Sequence, residues 1–379
     1  EVGVYFDKKN LASTPATPSS DYDPYFSGQG PTRSPCNFCG GCMVGCRYNA
    51  KNTLDKNYLY FAEKWGTQIF AERHCTEIVP EQDHYLVHTI SSTHPLLRKP
   101  KTFRAKQVIV AAGVLGTVKL LFQSRRLSKI SSRLGDRVRT NGESLLGATS
   151  FDSHRDLSRG IAIGAAIHPN DITKIEAVRY PKGSGAMRLL AVPLTGPGNW
   201  WQRPLKFIFQ SLAGLPNLVR LNLVRDWAKS SIILLVMQSD NLEMQLRMGR
   251  RFLKGQTVDG REIPSYIPLA QEAAKILAKE IHGVPQNVIS EVMLGTPATA
   301  HILGGCLMGD SADDGVVSRK HEVFGHPGLY VCDGSVVPAN LGVNPSLTIT
   351  ALAERFTAQF EAHPELTPEV KRQRQIQFS

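Results

Sequence analysis

The chain has 379 residues, 42% hydrophobic and 20% charged, a globular composition long enough for about two domains. Its formal net charge of +11 suits an anionic surface, but no nucleic-acid motif or arginine-rich tail accompanies it, so nucleic acid is excluded as a partner. No secretory pattern opens the chain and no run of about 18 apolar residues occurs, which excludes a transmembrane helix and leaves placement between the cytoplasm and a membrane surface.

Residues 11–32 are rich in Ser, Thr, Pro and Gly and poor in aliphatics, so 1–35 is expected to be a flexible lead-in. Cys36, Cys39, Cys42 and Cys46 follow, spaced Cys-x2-Cys-x2-Cys-x3-Cys. That is the spacing of an iron–sulfur run, although Arg47 stands where Pro normally follows and no second run exists. Two pairs holding zinc are the rival reading, and a purely structural loop is the third. A 4Fe–4S cluster near a redox cofactor would let electrons leave singly to a carrier.

Lys51 to Trp65 has apolar residues at helical spacing and stops before Gly66. Gln68 to Phe70 and His84 to Thr89 read as short strands. Gln107-Val-Ile-Val-Ala-Ala-Gly reads as a buried strand entering a glycine turn, with a helix from Leu115 to Gln123. Strand, glycine and helix in this order suit a doubly wound sheet with ligands at strand C-termini.

From about 145 to 300, strand-like runs at Ser231–Met237 and Glu243–Met248 alternate with turns such as Asp259-Gly260, suggesting a mixed or antiparallel sheet. Residues 199–229 combine Trp200, Trp201, Phe and Leu with Arg203, Lys206, Arg220, Arg225 and Lys229. This composition fits an interfacial amphipathic lid or an ordinary packing helix. Pro268 to His282 reads as a helix with Pro early and Gly283 past its end.

The C-terminal part concentrates the chemistry. His301-Ile-Leu-Gly-Gly sets an imidazole, a natural base or hydrogen-bond partner near neutral pH, before a glycine pair that permits close approach to a ring. Leu329-Tyr-Val-Cys-Asp333-Gly334 is a strand running into a turn whose N–H groups suit a phosphate or ribityl chain. Asn344-Pro345-Ser346 opens a helix whose positive end suits an anionic flavin edge, with Asn344 orienting substrate or ring, or serving as an N-cap.

Together, His301 with Leu-Gly-Gly, Asp333-Gly334 and Gly-Val-Asn344-Pro345 resemble the C-terminal signature of glucose–methanol–choline oxidoreductases, most closely their cholesterol oxidase branch. The resemblance covers 36–145 and 290–365, including Thr53-Leu-Asp-Lys-Asn-Tyr-Leu and Ala111-Ala112-Gly113. It implies an α/β fold: a discontinuous FAD-binding, Rossmann-like doubly wound domain over 36–145 and 300–365, with a substrate domain over 146–299. It implies FAD as cofactor, held by Ala112, Gly113, Asp333, Gly334, Asn344, Pro345 and Ser346. The implied reaction is oxidation of a sterol-like or other bulky secondary alcohol to its ketone, with oxygen or an electron carrier as acceptor.

His301 and Asn344 match the branch's active-site pair. Glu176 in Ile-Glu-Ala-Val matches its isomerisation base, against the plainer reading of a surface carboxylate. Ile302 stands where Pro is usual, and Ser346 where some members have Phe. No Gly-x-Gly-x-x-Gly follows a strand, so the expectation is a chain without the family's first βαβ unit. The competing readings are an FAD and iron–sulfur dehydrogenase that does not use oxygen, and an inactive fragment.

Overall fold

A computed structural model of the protein describes residues 3–6, 23–94, 97–199, 201–261, 263–295, 297 and 299–361. Of the expected lead-in, 7–22 lies outside the described residues, while 23–35 is packed. The Asp23 carboxylate accepts backbone N–H groups from Tyr25, Phe26, Gly28 and Gly30, and Arg33 is buried.

The helix expected over 51–65 is broken. Leu54–Lys56 forms one tight turn and α1 spans Tyr58–Lys64. The break is Asn57, whose φ of −141° and ψ of −101° are not helical and whose side chain accepts the Tyr58 N–H at 2.5 Å. The strand expected at 68–70 does not form. Phe70 instead packs on Phe103, with ring centroids 4.7 Å apart, and its backbone joins no sheet.

A meander follows, β1 (Arg73–Pro80), β2 (Tyr85–Ser91) and β3 (Lys101–Ala105), all antiparallel. Next come β4 (Val108–Val110) and α2 (Gly113–Gln123). Gly113 sits at φ +70°, a conformation costly for other residues, and this lets a buried strand turn directly into a helix.

The middle of the chain contributes β5 (Ser144–Ser150), β6 (Ile163–Asn170), β7 (Thr173–Val178) and β8 (Ala191–Pro193). It continues through α3 (Gln202–Ala213), α4 (Leu215–Leu223), α5 (Trp227–Ser230) and β9 (Ser231–Gln238). The hairpin β10 (Met244–Met248) and β11 (Leu253–Thr257) then precedes α6 (Pro268–Glu280), β12 (Gly283–Val288) and α7 (Ile289–Met293). Six strands form one sheet ordered β6-β7-β9-β5-β12-β8, with every pairing antiparallel.

The run Ser-Ile-Ile-Leu-Leu-Val-Met in β9 is apolar throughout because both faces are covered. Alternate side chains point to opposite faces. Ile232, Leu234 and Val236 pack with Ala270 and Ala274 of α6, while Leu235 and Met237 pack with Val178 on the other side.

The chain closes with β13 (Leu329–Val331) and α8 (Ser346–Thr357). β13 lies parallel to β4, pairing Leu329 with Val108 and Val331 with Val110. Parallel strands need a crossover connection, and here the whole six-stranded sheet sits inside it. Val110, Val118, Leu121, Leu329 and Val331 form the first core with Ile78 of β1. Leu246 of β10 joins that core and donates its N–H to Gly135 O at 2.7 Å. The hairpin therefore packs with the doubly wound element and crosses the expected 146–299 boundary.

Candidate active site

Asp333 ends β13, and its carboxylate is fully engaged. Oδ2 accepts the Gly113 N–H at 3.0 Å and the Thr117 hydroxyl at 2.5 Å; Oδ1 accepts the Ser335 N–H at 2.8 Å and its hydroxyl at 2.5 Å. The turn thus ties the strand to the start of α2, and two N–H groups that could have met a phosphate are spent internally. Gly334 is buried, and a Cβ there would lie 3.2 Å from Ile349 and 3.3 Å from Leu303.

Residues that remain open lie beside this turn. Ala112 and Gly113 are exposed at the N-terminus of α2, with no atom within 4 Å of a Cβ built at Gly113. Pro345 precedes α8, whose first turn has no side-chain cap and exposes Ser346 and Leu347. The start of α8 has no side-chain cap and offers N–H groups at a positive dipole end, whereas at α2 the Gly113 N–H is already taken by Asp333 and the Ala112 N–H by Thr117. The α8 end fits a cofactor with an electron-rich ring edge, as FAD has. The pair Gly304-Gly305 plays a different part from the one expected. Both are buried at positive φ against Arg137 O and Val118, so they permit chain-to-chain contact, and neither faces an open ring site.

His301 is mostly buried, its side chain 15% exposed. Its Nδ1 pairs with Glu143 Oε1, and among the described residues nothing bonds Nε2. The backbone is pinned as well: His301 N–H donates to Thr299 Oγ1 at 3.1 Å, and that hydroxyl donates to Thr140 O at 2.6 Å. Asn141 reaches the other half of the site. It donates to Val343 O at 3.1 Å and accepts the Gly342 N–H at 2.8 Å, immediately before Asn344.

Asn344 donates to Glu176 Oε2 at 3.2 Å, and Lys174 Nζ lies 2.7 Å from Glu176 Oε1 and 3.4 Å from Asn344 Oδ1. Glu176 is 3% exposed on β7, where its partners Ala166 and Leu235 fix its register. It is an inward carboxylate paired with Asn344, and the surface alternative does not hold. The Asn141 amide lies 3.5 Å from Glu143 Oε1, so side-chain bonds run from His301 to the backbone before Asn344, and a separate bond joins Asn344 to Glu176. Sequence reasoning missed Glu143 and Asn141. Asn-Gly-Glu reads as a turn, and the only hint was an acidic residue heading the apolar strand β5.

The cysteine run gives no support for its metal readings. Cys36, Cys39, Cys42 and Cys46 are free thiols, and among the described residues no three His, Cys, Asp or Glu side chains converge as metal ligands. Cys36 Sγ instead accepts the Phe38 N–H and Cys46 Sγ the Ala50 N–H, each at 3.4 Å. Cys39 is held by a bridge to Gly160. Neither a 4Fe–4S cluster nor zinc is supported, and the structural-loop alternative describes the local geometry.

The insertion expected to form a lid comprises α3 to α5. Trp200 lies outside the described residues, and Trp201 is half exposed. Leu205, Phe209, Leu212, Leu215, Val219 and Leu223 are between 47% and 72% exposed. Arg203 anchors the insertion inward, donating to Ser265 O at 3.0 Å and Glu291 O at 2.7 Å. No helix among the described residues is long and apolar enough to cross a membrane.

Known proteins place this arrangement. The N-terminal and C-terminal models of the GMC oxidoreductases match residues 31–136 and 238–353, which contain β4 and α2, the Asp333 turn, His301 and Asn344. The chain belongs to the GMC oxidoreductase family.

A cholesterol oxidase of Acinetobacter baumannii is 42% identical over 353 residues, covering 90% of this chain and 64% of that protein. A cholesterol oxidase of Mycobacterium tuberculosis is 40% identical over 372 residues, covering 93% and 63%. The chain therefore spans just under two thirds of the length of these GMC relatives. An FAD-dependent oxidoreductase structure from Chaetomium thermophilum covers 82% of this chain and 64% of its own at 15% identity and a TM-score of 0.50, a likeness of fold.

Proposed function

We propose that this chain carries the substrate site of an FAD-dependent oxidoreductase that converts a sterol-like or other bulky secondary alcohol to its ketone, with oxygen as electron acceptor. The observation that carries the reading is the hydrogen-bonded path from Glu143 and His301 through Asn141 to the Asn344 loop. It supports a shared site for the bare imidazole nitrogen and the Asn344 side-chain amide.

The proton leaves first in chemical terms. An imidazole within hydrogen-bond reach of the hydroxyl takes it at Nε2, a contribution of about 10²- to 10⁴-fold in such reactions. Asn344 orients the alcohol oxygen, and its own amide is steadied by Glu176 and Lys174. FAD, when bound, supplies the acceptor for the carbinol hydride. Ala112 and Gly113 would meet its adenosine side, Asp333 and Gly334 would shape the turn under the ribityl chain, and Asn344, Pro345 and Ser346 would face the ring edge.

Glu176 gives the site a second activity. Its buried carboxylate beside Asn344 is suited to move a proton from C4 to C6 of a sterol ketone, shifting the double bond. The exposed apolar face of α3 and α4, with Lys206 and Arg225 near it, is suited to rest on an anionic lipid surface, from which a water-insoluble alcohol would be drawn.

The test is to supply the protein with FAD, oxygen and cholesterol and to measure peroxide and ketone together. Equal amounts of both support the reading. Absence of any FAD-dependent ketone overturns it.

A further inference from the structure

Glu143 is a carboxylate with 1% exposure at the head of β5. It is not held there by chance of packing. Its neighbours Ser144 and Leu145 are pinned by Glu291, which accepts the Ser144 hydroxyl and the Leu145 N–H at 2.8 Å each. Glu143 Oε2 accepts the Ala300 N–H at 2.8 Å, so one oxygen fixes the backbone beside His301. The other oxygen takes the His301 ring at Nδ1.

An ionised carboxylate only accepts hydrogen bonds. Nδ1 must then carry the proton and donate it, which in a neutral imidazole leaves the lone pair on Nε2. That is the nitrogen with no described partner. A carboxylate serving structure alone could be satisfied by backbone N–H groups, as the Asp23 carboxylate is. Here one oxygen meets the ring and shares only a long 3.5 Å contact with the Asn141 amide.

The geometry points to Glu143 as the positioning residue of His301: it fixes the tautomer that exposes the Nε2 lone pair and balances the positive charge the ring acquires when the substrate proton arrives. The step is balanced. The hydroxyl O–H bond breaks and an Nε2–H bond forms, and the FAD of the proposed function, when bound, would supply the two-electron acceptor for the carbinol hydride. A buried imidazolium without such a partner would be costly, so the pair lowers the barrier at the moment charge develops. The inference rests on the proposed alcohol oxidation, yet the pairing itself is observable without turnover.

The experiment joins two readouts on the wild type and on Glu143→Gln, Glu143→Asp and His301→Gln. In proton NMR of the resting protein, the wild type should show a low-field imidazole N–H resonance. It should vanish in His301→Gln and move upfield in Glu143→Gln, where the acceptor is neutral. In steady-state oxidation, Glu143→Gln should lose about 10²-fold in kcat with KM for the sterol little changed, and Glu143→Asp should recover part of the loss.

A wild type without the low-field resonance overturns the proposal, and so does a Glu143→Gln enzyme of undiminished kcat. If the Gln variant does not fold, the Asp variant and the wild-type resonance decide. If the resonance behaves as expected but no variant, wild type included, oxidises a sterol, the alcohol-oxidase reading fails and the pairing stands.

Discussion

Asn344 donates its side-chain amide to Glu176 Oε2 at 3.2 Å, joining residues 168 positions apart in the chain. The contact brings the loop before α8 to the face of the antiparallel sheet opposite α6, because Glu176 opposes Leu235. Under the proposed function, substrate held by Asn344 would lie beside a buried carboxylate. Glu176→Gln keeps the size and one acceptor of the side chain and removes the base. The variant should oxidise sterol within about tenfold of wild type and lose double-bond isomerisation by about 10²-fold or more. Chromatography of the products would show the unisomerised ketone accumulating; a normal isomerised product would remove Glu176 from the mechanism.

Asp333 supports the site from below. Asp333→Ala would strand the Gly113 and Ser335 N–H groups and two hydroxyls that it now accepts. Unsatisfied buried donors cost about 1–3 kcal/mol each, and water entry would recover part of that, so a net loss of about 3 kcal/mol is expected in denaturant unfolding. Retention of full stability would show that the β13–α2 tie contributes nothing.

The parallel pair and α2 were legible in sequence because each is a local pattern. Val108–Val110 and Leu329–Val331 are apolar runs, and each is followed by a glycine turn within three residues. The helix over Pro268–Glu280 was equally plain from Pro268 near its start and Gly283 past its end. The meander strand β1 was missed because Arg73, His74 and Glu77 mask its alternation, and cross-strand pairing alone makes it a strand. His301, Asn344 and Glu176 could be nominated from their motifs, but their convergence could not, since it depends on a sheet assembled in an order far from that of the chain. The cysteine run could not be decided from spacing alone. Spacing gives the reach of four thiols, while Asn49 and Phe38 at positive φ and the N–H bonds to Cys36 and Cys46 direct them into the loop's own backbone.

Acid should destabilise the first core through His321. Burial holds its imidazole below the ordinary histidine value; the Val331 carbonyl opposes this and Arg355 adds to it. A lowered value means that the folded state binds fewer protons than the unfolded chain. The His321 contribution is then fully present above the unfolded value of about 6.5 and is lost as pH falls below it. His326 shifts in the same direction, again chiefly by burial. The Tm should fall between about pH 7 and pH 5.5, and His321→Gln should flatten part of that slope. An identical slope in the variant would move the effect elsewhere.

The insertion makes a separate prediction. Phe209 and Leu212 are 69% and 66% exposed on α3, so changing both to Ser should alter stability by about 1 kcal/mol or less. Co-sedimentation with anionic lipid vesicles should drop severalfold, and oxidation of detergent-solubilised sterol should be unaffected. Unchanged sedimentation would assign this face to something other than lipid.

The central claim is that His301 removes the hydroxyl proton of a sterol-like alcohol beside FAD. Its most direct measurement is anaerobic mixing of the FAD-loaded protein with cholesterol, following the loss of oxidised-flavin absorbance in a single turnover for the wild type and His301→Gln. The account predicts rapid bleaching in the wild type and a rate lower by about 10²- to 10⁴-fold in the variant, with FAD bound equally by both. Equal rates in the two proteins, or no bleaching of bound flavin by the sterol in the wild type, would contradict it.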